Sequence, residues 1–99
     1  MRVITGSARG VNLYTLTGNE VRPTIQRVKE SIFSIIQFYI EGARVLDLFA
    51  GSGQMGIEAL SRGAKSSVFV DGNNDSIAII KKNLQKKNTI FVLYLIFLF

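Results

Sequence analysis

The sequence predicts an α/β fold: part of a parallel sheet with crossover helices, preceded by a β-hairpin and a helix. Three observations predict it. Two apolar runs each close on an acid, Val45-Leu46 before Asp47 and Val68-Phe69-Val70 before Asp71. A Gly-x-Gly turn, Gly51-Ser52-Gly53, follows the first acid. The strand–helix–strand–helix spacing then implies parallel strands joined by right-handed crossovers.

Each element has its own signal. Residues 2–5 and 11–16 read as short strands, and Gly6-Ser7-Ala8-Arg9-Gly10 joins them as a hairpin with a longer loop. After the turn Thr17-Gly18-Asn19-Glu20, Arg22-Pro23-Thr24 opens a helix, with Thr24 as its N-cap. The helix is expected over about 25–40. Ile25, Val28, Ile32, Ile35 or Ile36, and Tyr39 recur at steps of three and four, so this stripe is expected to face a core. Gly42 is the stop. Residues 44–49 form the first central strand and 54–62 a helix ending at Gly63. Residues 67–71 form the next strand. Asn74 or Asp75 caps a basic amphipathic helix over 76–87, with Ile77, Ile80 and Leu84 inward. From Ile90 a third strand is due, buried on both faces if it packs. The expected division is a hairpin and substrate-side segment over 1–23 and a partial domain over 24–99, its tail 89–99 atypical.

Composition narrows the chemistry. Ninety-nine residues make at most one domain with a limited core. The net charge of +5 and the pI near 9.9 suit a polyanionic partner, of which nucleic acid is the usual one. A basic solvated surface would give the same numbers, and charge alone does not choose. No cysteine and no histidine are present, which removes disulfides, thiolate chemistry, zinc sites and the usual neutral-pH general base. Both absences fit a cytoplasmic protein with no metal. The N-terminus lacks the apolar core of a signal peptide. The last ten residues are all apolar but too few to span a bilayer as a helix, so no membrane partner is expected.

Two strand-end acids around one glycine turn describe a site for a nucleoside-bearing cofactor. Gly51-Ser52-Gly53-Gln54-Met55-Gly56 fits the dinucleotide pattern, and Asp71 follows the first glycine by about twenty residues. Asp47 argues against it, because a carboxylate just before the turn crowds a pyrophosphate. The helix ahead of the first strand argues against it too. S-adenosylmethionine explains both acids better. A carboxylate near the turn pairs with its ammonium, its own carboxylate can lie near N–H groups at the start of the next helix, and Asp71 can accept both ribose hydroxyls.

Arg2-Val3-Ile4-Thr5-Gly6, Arg22-Pro23-Thr24, Arg27-Val28-Lys29-Glu30, Asp47-Leu48-Phe49-Ala50-Gly51-Ser52-Gly53, Glu58-Ala59-Leu60-Ser61-Arg62-Gly63-Ala64 and Val68-Phe69-Val70-Asp71 appear in order. Together they closely resemble the bacterial 16S ribosomal RNA guanine-N2 methyltransferases, over residues 1 to about 88. The resemblance implies methyl transfer from S-adenosylmethionine to the exocyclic amine of a guanine in small-subunit ribosomal RNA. It also implies the Rossmann-like methyltransferase sheet, of which this chain holds the first half. By that resemblance Asp47, Phe49, Ala50, Gly51, Ser52 and Gly53 border the methionine end of the cofactor. Asp71 takes the ribose, and Gly72 and Asn73 lie near the adenine. Arg2, Arg9, Arg22, Thr24 and Arg27 are the expected RNA contacts, and Lys29 stands with them among the basic residues before position 31.

The chain also departs from that family. Its catalytic motif, Asn- or Asp-Pro-Pro-aromatic, cannot be present in a chain whose one proline is Pro23. That motif localises the lone pair of a poorly nucleophilic amine and aims it at the sulfonium methyl. The chain is therefore expected to carry cofactor-site elements with little or no turnover alone, and no catalytic residue is assigned. The run from Ile90 lacks alternation and a closing acid, as a truncated or frame-shifted reading would. A half-sheet with an open edge is expected to be poorly soluble. The alternatives are a fragment of a methyltransferase acting on DNA or another amine, and a non-catalytic nucleic-acid-binding fragment.

Overall fold

The structure is a computed structural model that describes residues 1–16, 23–86 and 94–98. Helix α1 spans Pro23–Ile36 and continues as a 3-10 turn over Gln37–Tyr39. Strand β1 (Arg44–Leu48), helix α2 (Gln54–Ser61), strand β2 (Ser66–Asp71), helix α3 (Asn74–Gln85) and strand β3 (Tyr94–Leu98) follow. The three strands lie parallel in the order β1-β2-β3, with Asp47 opposite Phe69 and Phe69 opposite Ile96. This is the first part of a Rossmann-like α/β sheet, as the spacing of the elements implies.

The main core lies between the sheet and helices α2 and α3. Ile57, Phe69, Ile80 and Leu84 are buried there, together with Met1, Val3, Ala8 and Leu13 from the N-terminal segment. Full burial of such side chains is worth about 1.5–3 kcal/mol each. A second cluster sets Phe33 and Ile40 against Ala59, with Ile36, Val45 and Met55 around them.

The N-terminal hairpin is looser than a pair of short strands. Its ladder is one antiparallel bridge, Arg2 with Asn12, reinforced by N–H donation from Val3 to Val11 (3.0 Å) and from Gly10 to Val3 (2.9 Å). It does not extend because the next two donors point elsewhere. Ile4 N–H donates to Glu58 Oε1 (2.8 Å) and Thr5 N–H to Glu58 Oε2 (3.1 Å). The loop then seats on the end of α2, where Ser7 N–H donates to the Ser61 carbonyl (2.8 Å) and Ala8 N–H to Ser61 Oγ (2.9 Å). At Gly6, with φ +96°, a Cβ would stand 1.9 Å from the Ser61 carbonyl oxygen, so only glycine allows the approach.

Helix α1 is rotated relative to the sequence reading. Of the stripe expected in the core, Ile25, Val28, Ile32, Ile35 and Tyr39 are exposed, Ile35 by 78%, and of the pair Ile35 or Ile36 it is Ile36 that packs inward. The buried face is Lys29, Phe33, Ile36 and Ile40. Both sets have helical spacing. What separates them is a polar contact: Lys29 Nζ pairs with Glu58 Oε1 (3.3 Å) and donates to the Arg2 carbonyl (2.8 Å). Lys29, 1% exposed, is therefore not available to RNA phosphates. Burial holds its ammonium below its ordinary pKa even with Glu58 adjacent. Arg62 completes the cluster, donating from Nε to Glu58 Oε2 (2.9 Å) and covering the Phe33 ring at 4.7 Å.

Smaller differences follow from local chemistry. Thr24 lies inside α1, so it is not the residue that precedes the helix. The cap of α3 is Asn73, one residue ahead of the expected pair, and its side-chain oxygen accepts from Asp75 N–H (2.8 Å). In β3, Ile96 packs on the core, but Phe97 and Leu98 are half exposed, against the expectation of a strand covered on both faces. The opposite side of the sheet is uncovered among the described residues, and Leu46 and Leu48 of β1 are 63% and 54% exposed there. Arg22 lies outside the described residues. No helix among the described residues is long and apolar enough to cross a membrane.

The Glu58 cluster makes a direct prediction. Glu58→Ala leaves a buried ammonium and two N–H groups without their acceptor, and should cost about 3–5 kcal/mol in urea unfolding. A loss under about 1 kcal/mol, the range of surface ion pairs, would show that this carboxylate is not the tie described.

Candidate functional site

Strand β1 ends at Leu48, and the chain turns sharply through 49–53. Phe49 takes φ +60°, Gly51 φ +59° and Gly53 φ +80°, so three left-handed residues fold the segment into one tight loop. Ala50 N–H still reaches the Val70 carbonyl (2.8 Å) and Gly53 N–H returns to the Ala50 carbonyl (2.9 Å). The glycines differ in what they allow. A Cβ on Gly56 would meet Phe69 Cε1 at 2.4 Å and Ser67 Oγ at 2.6 Å, and one on Gly53 would meet Ile80 Cγ1 at 3.1 Å. Those two let α2 pack on the sheet and α3. A Cβ on Gly51 would meet no described atom within 4 Å, so the Cα side of that residue faces open space.

The two acids meet at this turn. Asp47 pairs in register with Phe69, and Asp71 lies two residues beyond Phe69, so both occupy the same sheet face. Asp71 Oδ2 accepts from Gly51 N–H (2.8 Å) and Oδ1 from Asn73 N–H (3.0 Å). Asp47 Oδ2 accepts from Gly56 N–H (3.0 Å) in the first turn of α2. That bond occupies one of the donors at the helix start that the sequence reading offered to a ligand carboxylate. A pyrophosphate lying on the same helix end would confront the Asp47 charge.

The acids differ electrostatically. Burial pushes Asp47 up to about 6, the Asp71 charge adds to the rise, and the Gly56 hydrogen bond opposes it. For Asp71 partial burial works upward, but donation from Gly51, Asn73, Ser76 and Gly72 outweighs it and holds the carboxyl below its ordinary value. Asp71 is thus a fixed anion whose remaining lone pairs can accept hydroxyls. Asp47 is a strained carboxylate that a cation would relieve. Gln54, the first residue of α2, has a buried Oε1 with no hydrogen-bond partner among the described residues. A cationic amine and a diol are what these two carboxylates can serve, so they are compatible with S-adenosylmethionine.

The other expected residues fall around this centre. Ala50 and Ser52 are buried in the turn, Phe49 is exposed beside it, and Gly72 and Asn73 lie exposed just past β2. Arg2, Arg9 and Arg27 are exposed. Arg2 and Arg9 line a cleft of about 290 Å³ together with Gln26 and Glu30.

Two residues that shape the site carried no clear sequence signal. Fully buried Asn83 donates from Nδ2 to the Ser52 carbonyl (2.9 Å) and the Tyr14 carbonyl (3.0 Å), while its Oδ1 accepts from Tyr14 N–H (2.7 Å). It ties the glycine turn to the N-terminal segment. Glu58 does the same for the hairpin loop. A polar residue on the apolar side of a predicted amphipathic helix, as Asn83 is beside Ile80 and Leu84, is the signal that could have found it.

The family model described as conserved hypothetical protein 95 matches residues 1–93. A candidate rRNA methyltransferase of Bacillus subtilis (strain 168), YlbH, is 53% identical over 85 residues, which are 86% of this chain and 46% of that protein. The ribosomal RNA small subunit methyltransferase D of Haemophilus influenzae is 45% identical over 85 residues, covering 86% of this chain and 44% of its own length. The solved structure of yhhF from Escherichia coli, a candidate methyltransferase, superposes with a TM-score of 0.86 at 32% identity, over 100% of this chain and 53% of that one. The chain spans about half the length of the relatives it matches.

The raised Asp47 pKa gives a signed prediction. Its contribution to stability is fully present below the ordinary value of 3.8 and is lost as pH rises through about 6. Relative to Asp47→Asn, the wild-type chain should lose about 1–3 kcal/mol between pH 4 and 7. Urea midpoints for both chains across that window measure it, and parallel curves would refute the buried carboxylate.

Proposed function

Because the chain belongs to the family described as conserved hypothetical protein 95, we propose that it forms the S-adenosylmethionine-binding half of a methyltransferase acting on small-subunit ribosomal RNA. The observation that carries the proposal is the pair of acids on one sheet face. Asp71 is anchored to Gly51 N–H and Asp47 to Gly56 N–H, on either side of a turn that leaves Gly51 bare.

In this reading Asp47 holds the ammonium of the methionine end, directly or through water, beside Gly51 and the buried Gln54 oxygen. Asp71 accepts from the ribose hydroxyls. Phe49, Ala50, Ser52 and Gly53 shape the wall of the turn, and Gly72 and Asn73 border the adenine. When bound, the sulfonium supplies an electrophilic methyl group. The residues of this chain bind and orient it, and none of them needs to move a proton. The acceptor is the exocyclic N2 amine of a guanine. Arg2, Arg9 and Arg27 hold RNA phosphates by a salt-sensitive, sequence-blind attraction, and Arg22 and Thr24 extend that border. With Pro23 as its one proline, the chain carries no Asn/Asp-Pro-Pro-aromatic segment to localise the amine lone pair. It is therefore a binding half with little turnover of its own, working in the cytoplasm with ribosomal RNA.

Titration calorimetry tests the reading. S-adenosylhomocysteine, which keeps the ammonium and ribose, should bind, and NAD should not. Asp71→Ala should weaken binding by about tenfold or more, equivalent to ~1.4 kcal/mol. Affinity should rise between pH 5 and 7 as Asp47 ionises through about 6. Heat with NAD and none with S-adenosylhomocysteine would sink the assignment.

A further inference from the structure

The Ser52–Gly53 peptide is the last link of the glycine turn before α2, and both of its polar ends are engaged. Its N–H is the Gly53 donor to the Ala50 carbonyl (2.9 Å), which closes the turn. Its C=O is the Ser52 oxygen that accepts from Asn83 Nδ2 (2.9 Å). A trans peptide sets those ends on opposite edges of one plane, so the two bonds together fix the plane against rotation. Without them rotation is open, because Gly53 has φ +80° and glycine visits either side of the map at little cost. A turned plane would lose the closing bond to Ala50. Asn83 is itself held from the far side. Its Oδ1 accepts from Tyr14 N–H (2.7 Å), and its Nδ2 also donates to the Tyr14 carbonyl (3.0 Å). Tyr14 N–H accepts no nitrogen as a partner, so the amide has one orientation, with its nitrogen toward Ser52. The Tyr14 ring lies under Lys86 Nζ at 3.9 Å, which keeps this segment on α3.

We propose that Asn83 is a positioning residue of the cofactor site, locking the Ser52–Gly53 peptide so that the turn keeps the shape it presents to the ligand. Asn83 touches no ligand in this role and acts through the backbone of Ser52. Packing alone does not account for it. Ile80 and Leu84 are buried on the same helix, and Ile80 Cγ1 is what a Cβ on Gly53 would meet at 3.1 Å. An apolar side chain between them would fill the core without the cost of desolvating an amide. What the amide supplies and a leucine cannot is direction: two N–H groups for two carbonyls, and an oxygen for one N–H. The turn so fixed is the one whose Gly51 N–H anchors Asp71. Preorganisation of this kind lowers the ordering cost of binding. The inference rests on the cofactor reading for what the turn binds, and goes beyond it in assigning a role to a residue remote from the ligand.

Amide exchange and calorimetry on the 99-residue chain test it. In the parent, the Gly53 amide should exchange on the order of 100-fold more slowly than a free peptide. Asn83→Asp keeps the shape and the acceptor but removes the two N–H groups. It should speed Gly53 exchange by about tenfold or more and weaken S-adenosylhomocysteine binding by about tenfold. Asn83→Ser, which leaves room for water, is the second variant and should show both effects. Phe33→Leu thins the separate cluster under α1 and also lowers the melting temperature. It should leave the affinity unchanged and Gly53 exchange slower than in either Asn83 variant, which a merely structural Asn83 would not produce. The proposal is overturned if Gly53 of the parent exchanges at the free-peptide rate. It is also overturned if a folded Asn83 variant keeps the parent's exchange and affinity, or if Phe33→Leu moves both readouts as far. Should S-adenosylhomocysteine not bind the parent at all, the cofactor reading falls, and the exchange comparison alone decides what Asn83 does.

Discussion

A single buried carboxylate organises the N-terminal third of the molecule. Glu58 has no exposure and receives donors from three separate segments: Ile4 and Thr5 of the hairpin, Lys29 of α1 and Arg62 just past the end of α2. Its desolvation is offset only because all of those donors are present together. The consequences reach outward. The hairpin ladder stops because its next N–H groups are taken. Helix α1 is turned so that Lys29 faces inward, and the apolar stripe that periodicity would bury is left at the surface.

The turn after β1 depends on a similar economy of donors. Gly51 N–H goes to Asp71 and Gly56 N–H to Asp47. The two acids that would contact a ligand are therefore also the struts that hold the turn. Preorganisation follows from this, because the carboxylates are fixed by backbone before any ligand arrives. Their inequality follows as well. Asp71 is stabilised as an anion by several donors, whereas Asp47 is buried enough to resist ionisation. A ligand with a cationic end and a hydroxylated end matches that asymmetry better than a pyrophosphate does.

The order of the elements was legible because strand-end acids, turn glycines and period-3.6 runs are local signals. β1, α2 and β2 fall within a residue or so of their expected bounds, since Gly53 and Gly63 punctuate them. The inward face of α3, with Ile80 and Leu84, was legible for the same reason. The face of α1 was not. Two stripes on one helix satisfy the same spacing, and only the position of Glu58, about thirty residues away, distinguishes them. Asn83 escaped because a polar residue on a helix reads as solvated unless its partners are known. Those partners, Tyr14 and Ser52, come from distant parts of the chain.

The sequence by itself determined the α/β class, the placement of two acids at strand ends and the need for glycine between them, because backbone geometry and alternation act over a few residues. Only the tertiary structure decided which side of α1 is wet, which cations are buried and how the two carboxylates share their donors. Those outcomes depend on desolvation and on long-range hydrogen bonds. Their energies are set by what lies across the fold and not by what lies next along the chain.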